Sequence, residues 1–387
     1  MKNITKKITK LSAVLTASIL SASLPLTAMA AQNSPDDNTY QPKDVQTVDY
    51  KKSLTPEFAY SAEKWASLRD NIMEYGELAN LVHEYTPTVI SNRSTYKDQK
   101  NKNLNDIYDD YMKDIDDIWD QADSADNDIT WASLRYSAGL LTKQADNNYE
   151  DADMEKIQYD QQEAKLVYQA QEMMVSLKQS AYNLENLQST RELLQKQYEA
   201  AQAQLSVGMA TQTDVLTALK RVQDQDNAIL TAQKSQENVH RNLCLMLGWS
   251  ADAQPEIKEV PQPDLSRIDT LDPNADAQTA IDNNYDVKYY TKKAGNLDSQ
   301  DLIESNQATL ANAKDTAVRS LKTQYNTVLT TRDALNAAKA QLQVAEANLN
   351  IAQANLAVGS QTSLQYQSKL HNYTAAKKDV KTKQITL

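Results

Sequence analysis

The chain has 387 residues and a formal net charge of −12, with six glycines, one phenylalanine and one cysteine. This composition argues against ordinary globular domains and favours long helices that pack along apolar stripes. The acidic balance argues against nucleic acid as a partner, because phosphate binding requires a basic face. The lone cysteine, Cys244, excludes an intramolecular disulfide.

The first 30 residues have the organisation of a secretory signal peptide. Four lysines precede an apolar stretch at residues 11–26, and an Ala-Met-Ala cleavage site ends at Ala30. No cysteine follows that site, so a lipid anchor is not indicated. Residues 31–56 are polar and aperiodic and predict a disordered leader. Beyond the signal we find no apolar run of the roughly 18 residues that a membrane-spanning helix needs.

A first helical repeat is predicted at residues 57–250. Its first helix is expected at 57–85. Thr86, an N-cap residue followed by Pro87, then predicts the start of a second helix that continues to about Ala122.

A turn at residues 123–128 is expected to separate these helices from a much longer one. The run from 131 to 207 contains no proline, and its apolar residues recur in steps of three and four, which is typical of a coiled coil. We therefore expect one continuous helix there, followed by an antiparallel helix at 213–247.

Nine aspartates lie between residues 109 and 128. Carboxylates at this density could bind Ca²⁺, but the spacing lacks the glycine and the closing glutamate of a calcium loop. A solvated helix face is the favoured interpretation. The packed side of that helix is expected to consist of Tyr108, Tyr111, Ile115, Ile118 and Trp119.

Residues 251–274 contain four prolines and predict an irregular linker with short extended pieces. A second helical repeat is predicted at 275–387. It has a short turn cluster at 295–298, a long helix at 300–357 with the same apolar periodicity, and a final helix from residue 363.

One passage occurs at the end of both long helices. It is a Val-Gly pair with a threonine three residues later: Val207, Gly208 and Thr211 in the first copy, and Val358, Gly359 and Thr362 in the second. Glycine adopts the positive φ that often follows a helix, and threonine is a frequent N-cap. The repeat therefore predicts two related helical hairpins, whereas two unrelated helix C-caps are the alternative.

Catalytic and metal-binding patterns are not found in the sequence. His83, His240 and His371 are far apart and show no ligand spacing, so a zinc site is not supported. Cys244 lies among leucines and methionine, which favours a small buried residue over a reactive thiol. Without a nucleophile motif, a carboxylate pair or a phosphate loop, we expect neither an enzyme nor a cofactor.

These residues resemble the TolC family of outer-membrane efflux proteins, which is built from two tandem repeats that each contain a Val-Gly turn. The first copy also has Tyr198 before the turn and Asp214 six residues after Gly208. It ends at residues 242–248, from Asn242 to Gly248, in a sequence that is similar to the motif with which the family ends this helix. In the second copy, Gln365 stands where the family usually has aspartate. The resemblance covers roughly residues 57–387.

The resemblance implies an all-α protomer with long antiparallel coiled-coil hairpins, assembled as a homotrimer into a helical barrel at the outer membrane. Its tips would meet a periplasmic adaptor protein that works with an inner-membrane transporter. The implied adaptor contacts are Val207, Gly208, Thr211, Val358, Gly359 and Thr362. The implied gate residues are Asp214, Gln361 and Gln365.

Three departures from the family pattern change the expectation. Family repeats carry a pair of β-strands between their helices, but this chain has only the short turns at 123–128 and 295–298, so we predict that the β-barrel strands are absent. Gln361 and Gln365 replace residues that are usually charged, so a salt-bridged closed tip is not expected. The chain also ends about one helix earlier than the family pattern.

The favoured function is that of an exported exit-duct component of an efflux pump or type I secretion system. The alternative is a coiled-coil spacer or scaffold of the cell envelope without transport activity. An adaptor of the membrane-fusion type is disfavoured, because β-rich lipoyl-like segments do not flank the hairpins.

Overall fold

The computed structural model describes residues 60–387, so the signal peptide predicted at 1–30 and the leader predicted at 31–56 lie outside the described residues. The described chain is almost entirely helical, which confirms the predicted all-α fold with long antiparallel hairpins. Within this range, no helix combines the length and the apolar character needed to cross a membrane.

The helices of the described chain vary from 4 to 58 residues in length. In chain order they are α1 (Ala62–Leu68), α2 (Leu78–Tyr85), α3 (Pro87–Gln99), α4 (Leu104–Asp123), α5 (Asp128–Asp146), α6 (Ala152–Ser206), α7 (Gln212–Met246), α8 (Leu265–Ile268), α9 (Ala277–Asn283), α10 (Tyr285–Lys293), α11 (Gln300–Ala357) and α12 (Ser363–Thr386). Short 3₁₀ turns occur at Tyr75–Glu77 and Ala294–Asn296.

Contacts divide the described chain into two units. The tip unit comprises residues 60–87, 165–276 and 320–387, and the hairpin unit comprises residues 88–164 and 277–319. Each unit takes segments from both of the repeats predicted from the sequence.

Two antiparallel helix pairs form most of the tip unit. In the first pair, the guanidinium of Arg191 on α6 donates to the carboxylate of Asp226 on α7 at 3.0 Å. In the second pair, Leu335 and Ala338 on α11 are buried with Val380 on α12. The boundaries predicted for these helices at 213–247, 300–357 and from 363 agree with α7, α11 and α12 to within one residue.

The short elements of the tip unit are joined to the end of α7. Strands β1 (Ile72–Met73) and β2 (Glu256–Ile257) pair in parallel, which confirms that the linker contains an extended piece. The hydroxyl of Thr86 donates to the carbonyl of Met246 at 2.9 Å, and both groups are buried. These contacts connect the start of the described chain to the linker that follows α7.

The prediction of a single helix at 57–85 is wrong for the described part of that range, residues 60–85. α1 ends at Leu68, and the carboxylate of Asp70 then accepts a hydrogen bond from the backbone N–H of Ile72 at 2.9 Å. Such side-chain bonds compete with helical hydrogen bonds and favour turns. The released backbone pairs as β1, and a 3₁₀ turn that includes Gly76 leads into α2.

The helix expected to run from Pro87 to Ala122 is also interrupted. α3 ends at Gln99, and Asn101 adopts a positive φ of 73°, a conformation that asparagine tolerates better than most residues. Asn103 then caps α4 through a capping box with Asp106. The asparagines therefore supply both the break and the restart.

The continuous helix expected from 131 to 207 is interrupted as well. α5 ends at Asp146, and the side chain of Asn148 accepts a hydrogen bond from the backbone N–H of Glu150 at 3.1 Å. Asp151 accepts from the N–H of Met154 at 2.9 Å and so caps the start of α6. The long helix that reaches the Val-Gly turn consequently has 55 residues.

In the hairpin unit, α4 and α5 pack against each other around a core of their own. The turn between them matches the one predicted at 123–128. The core consists of Ile107, Tyr111, Ile115, Ile118, Ala122, Leu134, Ala138, Leu141 and Ala145, with Met112 and Trp119 at its edge. Tyr108 was expected in this core but is 37% exposed, and its hydroxyl donates to Asp146 at 3.1 Å. The remaining predicted packing residues of α4 are confirmed.

Candidate functional site

The two Val-Gly turns have the same backbone hydrogen bonds. Gly208 has a φ of 75° and Gly359 a φ of 72°. In the first turn, the N–H of Gly208 donates to the carbonyl of Leu205, and in the second, the N–H of Gly359 donates to that of Leu356. The N–H of the residue after each glycine donates to the carbonyl of the residue five positions earlier, Met209 to Gln204 and Ser360 to Asn355. These bonds complete a Schellman motif in both copies.

Each turn leads into a helix with a matched capping box. The hydroxyl of Thr211 accepts from the N–H of Asp214, and the Asp214 carboxylate accepts from the N–H of Thr211 at 2.8 Å. Thr362 and Gln365 exchange the equivalent bonds, with the Gln365 side-chain oxygen 2.9 Å from the Thr362 nitrogen. The two threonines therefore act as N-caps, and the two gate candidates Asp214 and Gln365 hold the same position in the cap.

Asp214 is exposed, and its carboxylate Oδ2 accepts hydrogen bonds from both the backbone N–H and the hydroxyl of Thr211. Hydrogen bonds from the Thr211 side chain and backbone hold its pKa below the usual range for aspartate. The charge also lies in the first turn of α7, where the helix dipole favours an anion. The structure therefore gives Asp214 a local structural contact, and its predicted gate role stays a prediction.

Apolar side chains project from both turns. Val207 is 68% exposed and Val358 is 78% exposed, and Met209 beside the first turn is 79% exposed. We name residues 207–211 the first tip and residues 358–362 the second tip. Gln361, the third gate candidate, lies within the second tip and is half-buried.

Both tips lie at the same end of the tip unit. Three contacts between α6 and α12 run antiparallel: Gln179 with Thr386, Glu185 with Lys378, and Ser189 with His371. From Ser189, α6 continues for about 25 Å to its end, and from His371, α12 extends back for about 12 Å to its start, at about 1.5 Å per residue. The two turns are consequently only about 13 Å apart along the helix axes.

Charged side chains are nearly absent around the tips. Asp214 is the one charged residue between positions 200 and 219, and positions 347–368 contain none. The glutamines at the expected gate were noted from the sequence, but the uncharged character of the whole region was not predicted. Met209 was not predicted either, although the sequence shows an apolar residue directly after the turn glycine.

The remaining chemistry-bearing residues do not form a second site. Cys244 is buried, as expected, and burial raises the pKa of its thiol to about 12. The ring of His371 contacts the Ser189 hydroxyl at 3.1 Å, whereas burial lowers the pKa of His240. Among the described residues, no three His, Cys, Asp or Glu side chains are grouped to hold a metal ion.

Neither the known protein families nor the curated proteins include a match to this sequence. Solved structures are similar over most of the chain at low identity. The outer membrane protein VceC from Vibrio cholerae is 13% identical, with 84% of this chain and 97% of that chain covered and a TM-score of 0.42. The Campylobacter jejuni CmeC outer membrane channel is 12% identical, with 94% and 90% covered and a TM-score of 0.37. A membrane protein from Pseudomonas aeruginosa is 12% identical, with 80% and 93% covered and a TM-score of 0.41.

Proposed function

We propose that the protein is an exported, TolC-like exit-duct component that forms a helical conduit as a homotrimer in the cell envelope. Its two tips dock a periplasmic adaptor protein of an efflux pump or type I secretion system, which brings an inner-membrane transporter. The observation that supports this proposal best is the pairing of two structurally matched, exposed apolar tips at one end of the tip unit.

The tips have the properties of a contact surface. Val207, Met209 and Val358 expose apolar side chains on short turns, where burial against a partner stabilises by about 25 cal/mol per Å² of apolar area. The Schellman turns and capping boxes fix the backbone below them, so little conformational entropy remains to be lost on docking. Thr211 and Thr362 contribute to docking through these caps.

Opening of such a tip would depend on contact shape more than on charge. Gln361 and Gln365 are neutral, and the single carboxylate, Asp214, is already held by Thr211. In this proposal Asp214, Gln361 and Gln365 position the helix starts that surround the pore end. Docking should therefore change little between 50 and 500 mM salt, because screening acts on charges that the tips lack.

The first experiment is the mass and shape of the purified mature chain, by light scattering and negative-stain imaging. A particle of three copies, or of a multiple of three, with a central lumen is the expected result. A solid rod of one or two copies would contradict the conduit and would favour the spacer function instead.

Docking is tested by a photo-reactive amino acid placed at Val207 or Val358 in cells that produce the protein. Both positions should give adducts with one and the same second envelope protein. The matched control is Leu230 on α7, which is 50% exposed but lies away from the turn. Equal yields of that adduct at Leu230 would contradict docking through the tips.

A further inference from the structure

Helix α5 of the hairpin unit has an apolar face that no described residue covers. Ile129 is 83% exposed, Tyr136 is 75% exposed and Leu140 is 48% exposed. Steps of seven and four residues place these three side chains on one face of a helix. The opposite face of α5 carries the residues that pack on α4, so α5 is apolar on both sides. Exposed apolar groups of this kind mark interaction surfaces more often than isolated exposed residues do.

The charges of the hairpin are segregated away from this face. Residues 104–146 contain eleven aspartates against three basic residues, Lys113, Arg135 and Lys143. Eight of the aspartates lie on α4, and the two on α5 stand at its first and last positions, Asp128 and Asp146. Between these ends α5 carries two charges, Lys143 beside the exposed apolar face and Arg135, which pairs with Asp123 of α4 at 3.2 Å. A second copy of this acidic chain could therefore approach through its own α5 face, because its acidic helix α4 would stay on the side turned away from the contact.

We propose that the α5 face is an interface between two copies of this chain, with the two α5 helices antiparallel about a twofold axis near Tyr136. This register places Leu140 opposite Ala132 of the second copy, and Gly139 opposite Ser133 of the second copy. Leu140 thus faces a small residue, the Gly139–Ser133 level is open on both sides, and the two Tyr136 rings meet near the axis; a twofold contact of this kind is self-complementary. A Cβ atom at Gly139 would meet no atom within 4 Å, so the glycine leaves room for a neighbouring helix.

Charge complementarity supports the antiparallel direction. Lys143 of one copy comes level with Ile129 of the other and lies beside Asp128 of the other. Within the described chain, neither Lys143 nor Asp128 has a side-chain hydrogen bond or an ion pair of its own. Two Lys-Asp pairs therefore flank the apolar contact, whereas a parallel register would bring like charges together.

Sedimentation velocity of the mature chain over a range of concentrations tests the interface. The wild-type particle should have twice the mass of the Tyr136→Ser variant, with far-UV circular dichroism as the check that the variant is folded. This factor of two is independent of the proposed trimer: a conduit would change from six copies to three, and a chain that does not trimerise would change from two copies to one. A failure of the interface is thus distinguished from a failure of the conduit.

A charge exchange tests the register. Lys143→Glu should weaken the association at least tenfold, and the double variant Asp128→Lys with Lys143→Glu should restore it. Lys113→Glu is the matched control, since it makes the same charge change on α4 and should leave the association unaltered. The antiparallel pairing would be overturned if Lys143→Glu and Lys113→Glu weakened the association equally, or if the double variant did not recover it.

Cross-linking gives a second readout that does not require dissociation. With a bismaleimide, the Ser133→Cys variant, which keeps Tyr136, should link two copies, whereas the Asp116→Cys variant on the exposed side of α4 should not. The buried Cys244 does not compete for the reagent. Equal cross-linking at the two positions would reject the interface. The interface would also be overturned if the wild-type chain did not associate through α5 but floated with phosphatidylcholine vesicles, and if Tyr136→Ser abolished this flotation. That result would identify a lipid surface as the occupant.

Discussion

Gly248, directly after α7, offers a sharp test of how the tip unit is held together. Its φ is 89°, and a Cβ atom placed on it would lie 2.7 Å from the Cβ of Tyr85 and 3.1 Å from its Cγ. Alanine in the left-handed region costs about 1–2 kcal/mol. Overpacking against a ring that cannot move freely costs about 1–3 kcal/mol more. Gly248→Ala should therefore lower the free energy of unfolding by about 2–5 kcal/mol.

Gly208→Ala is the matched control, because its φ of 75° imposes the same backbone cost while a Cβ atom there would meet nothing within 4 Å. Its expected loss is only about 1–2 kcal/mol. Urea titrations followed by tryptophan fluorescence measure both variants, since Trp65 and Trp249 are buried in the tip unit. If the two variants unfold within about 1 kcal/mol of each other, the contact between Gly248 and Tyr85 does not hold α7 in place.

Three further predictions concern the caps, the pH dependence and the cysteine. Thr362→Ala should cost about 1 kcal/mol and speed amide exchange at the start of α12, whereas Gln365→Asp should retain the cap; equal exchange in both variants would contradict the capping box. Burial, then the nearby Glu150 and Asp151, raises the pKa of Glu155 to about 7, so this carboxyl keeps in the fold a proton that the unfolded chain loses near pH 4.5. Its contribution to stability is lost as pH rises from about 4.5 to 7, and Glu155→Gln should stabilise by about 1–3 kcal/mol at pH 8 and hardly at pH 5 in urea titrations; the same gain at both pH values would be inconsistent with this shift. Because Cys244 is buried and its thiol pKa is about 12, iodoacetamide at pH 8 should modify it only in urea, as mass spectrometry would show.

Sequence reasoning succeeded where one local signal decided the structure. The Val-Gly turns, the threonine caps and the boundaries of α7, α11 and α12 follow from glycine, from N-cap chemistry and from apolar periodicity. It failed where asparagine or aspartate side chains replaced helical hydrogen bonds. Asp70, Asn101 and Asn148 all stand in segments whose composition otherwise suits a helix, and single-residue propensities do not distinguish a capping side chain from an exposed one.

The location of the tips relative to each other could not be predicted from either repeat alone. It depends on contacts between residues about 180–210 positions apart, such as Ser189 with His371 and Gln179 with Thr386. Polar pairs of this kind leave no periodic signal, since serine, glutamine and threonine are equally common on solvated helix faces. The apolar face of α5 was not predicted, because Tyr136 and Leu140 fall in the run from 131 to 207, which was interpreted as part of one long coiled-coil helix.

The difference between Asp214 and Gln365 bears on how the tips can work. Both residues close a capping box, so either side chain maintains the helix start, and the substitution preserves the backbone while removing a charge. If charge at this position controlled the tip, one carboxylate already bound by Thr211 would have to act without a cationic partner, because the surrounding positions 200–213 and 347–368 carry no charge at all. The exposed Val207, Met209 and Val358 are the features left to carry a contact. Under the proposed docking function, the tips would be preorganised by their caps and recognised through apolar surface.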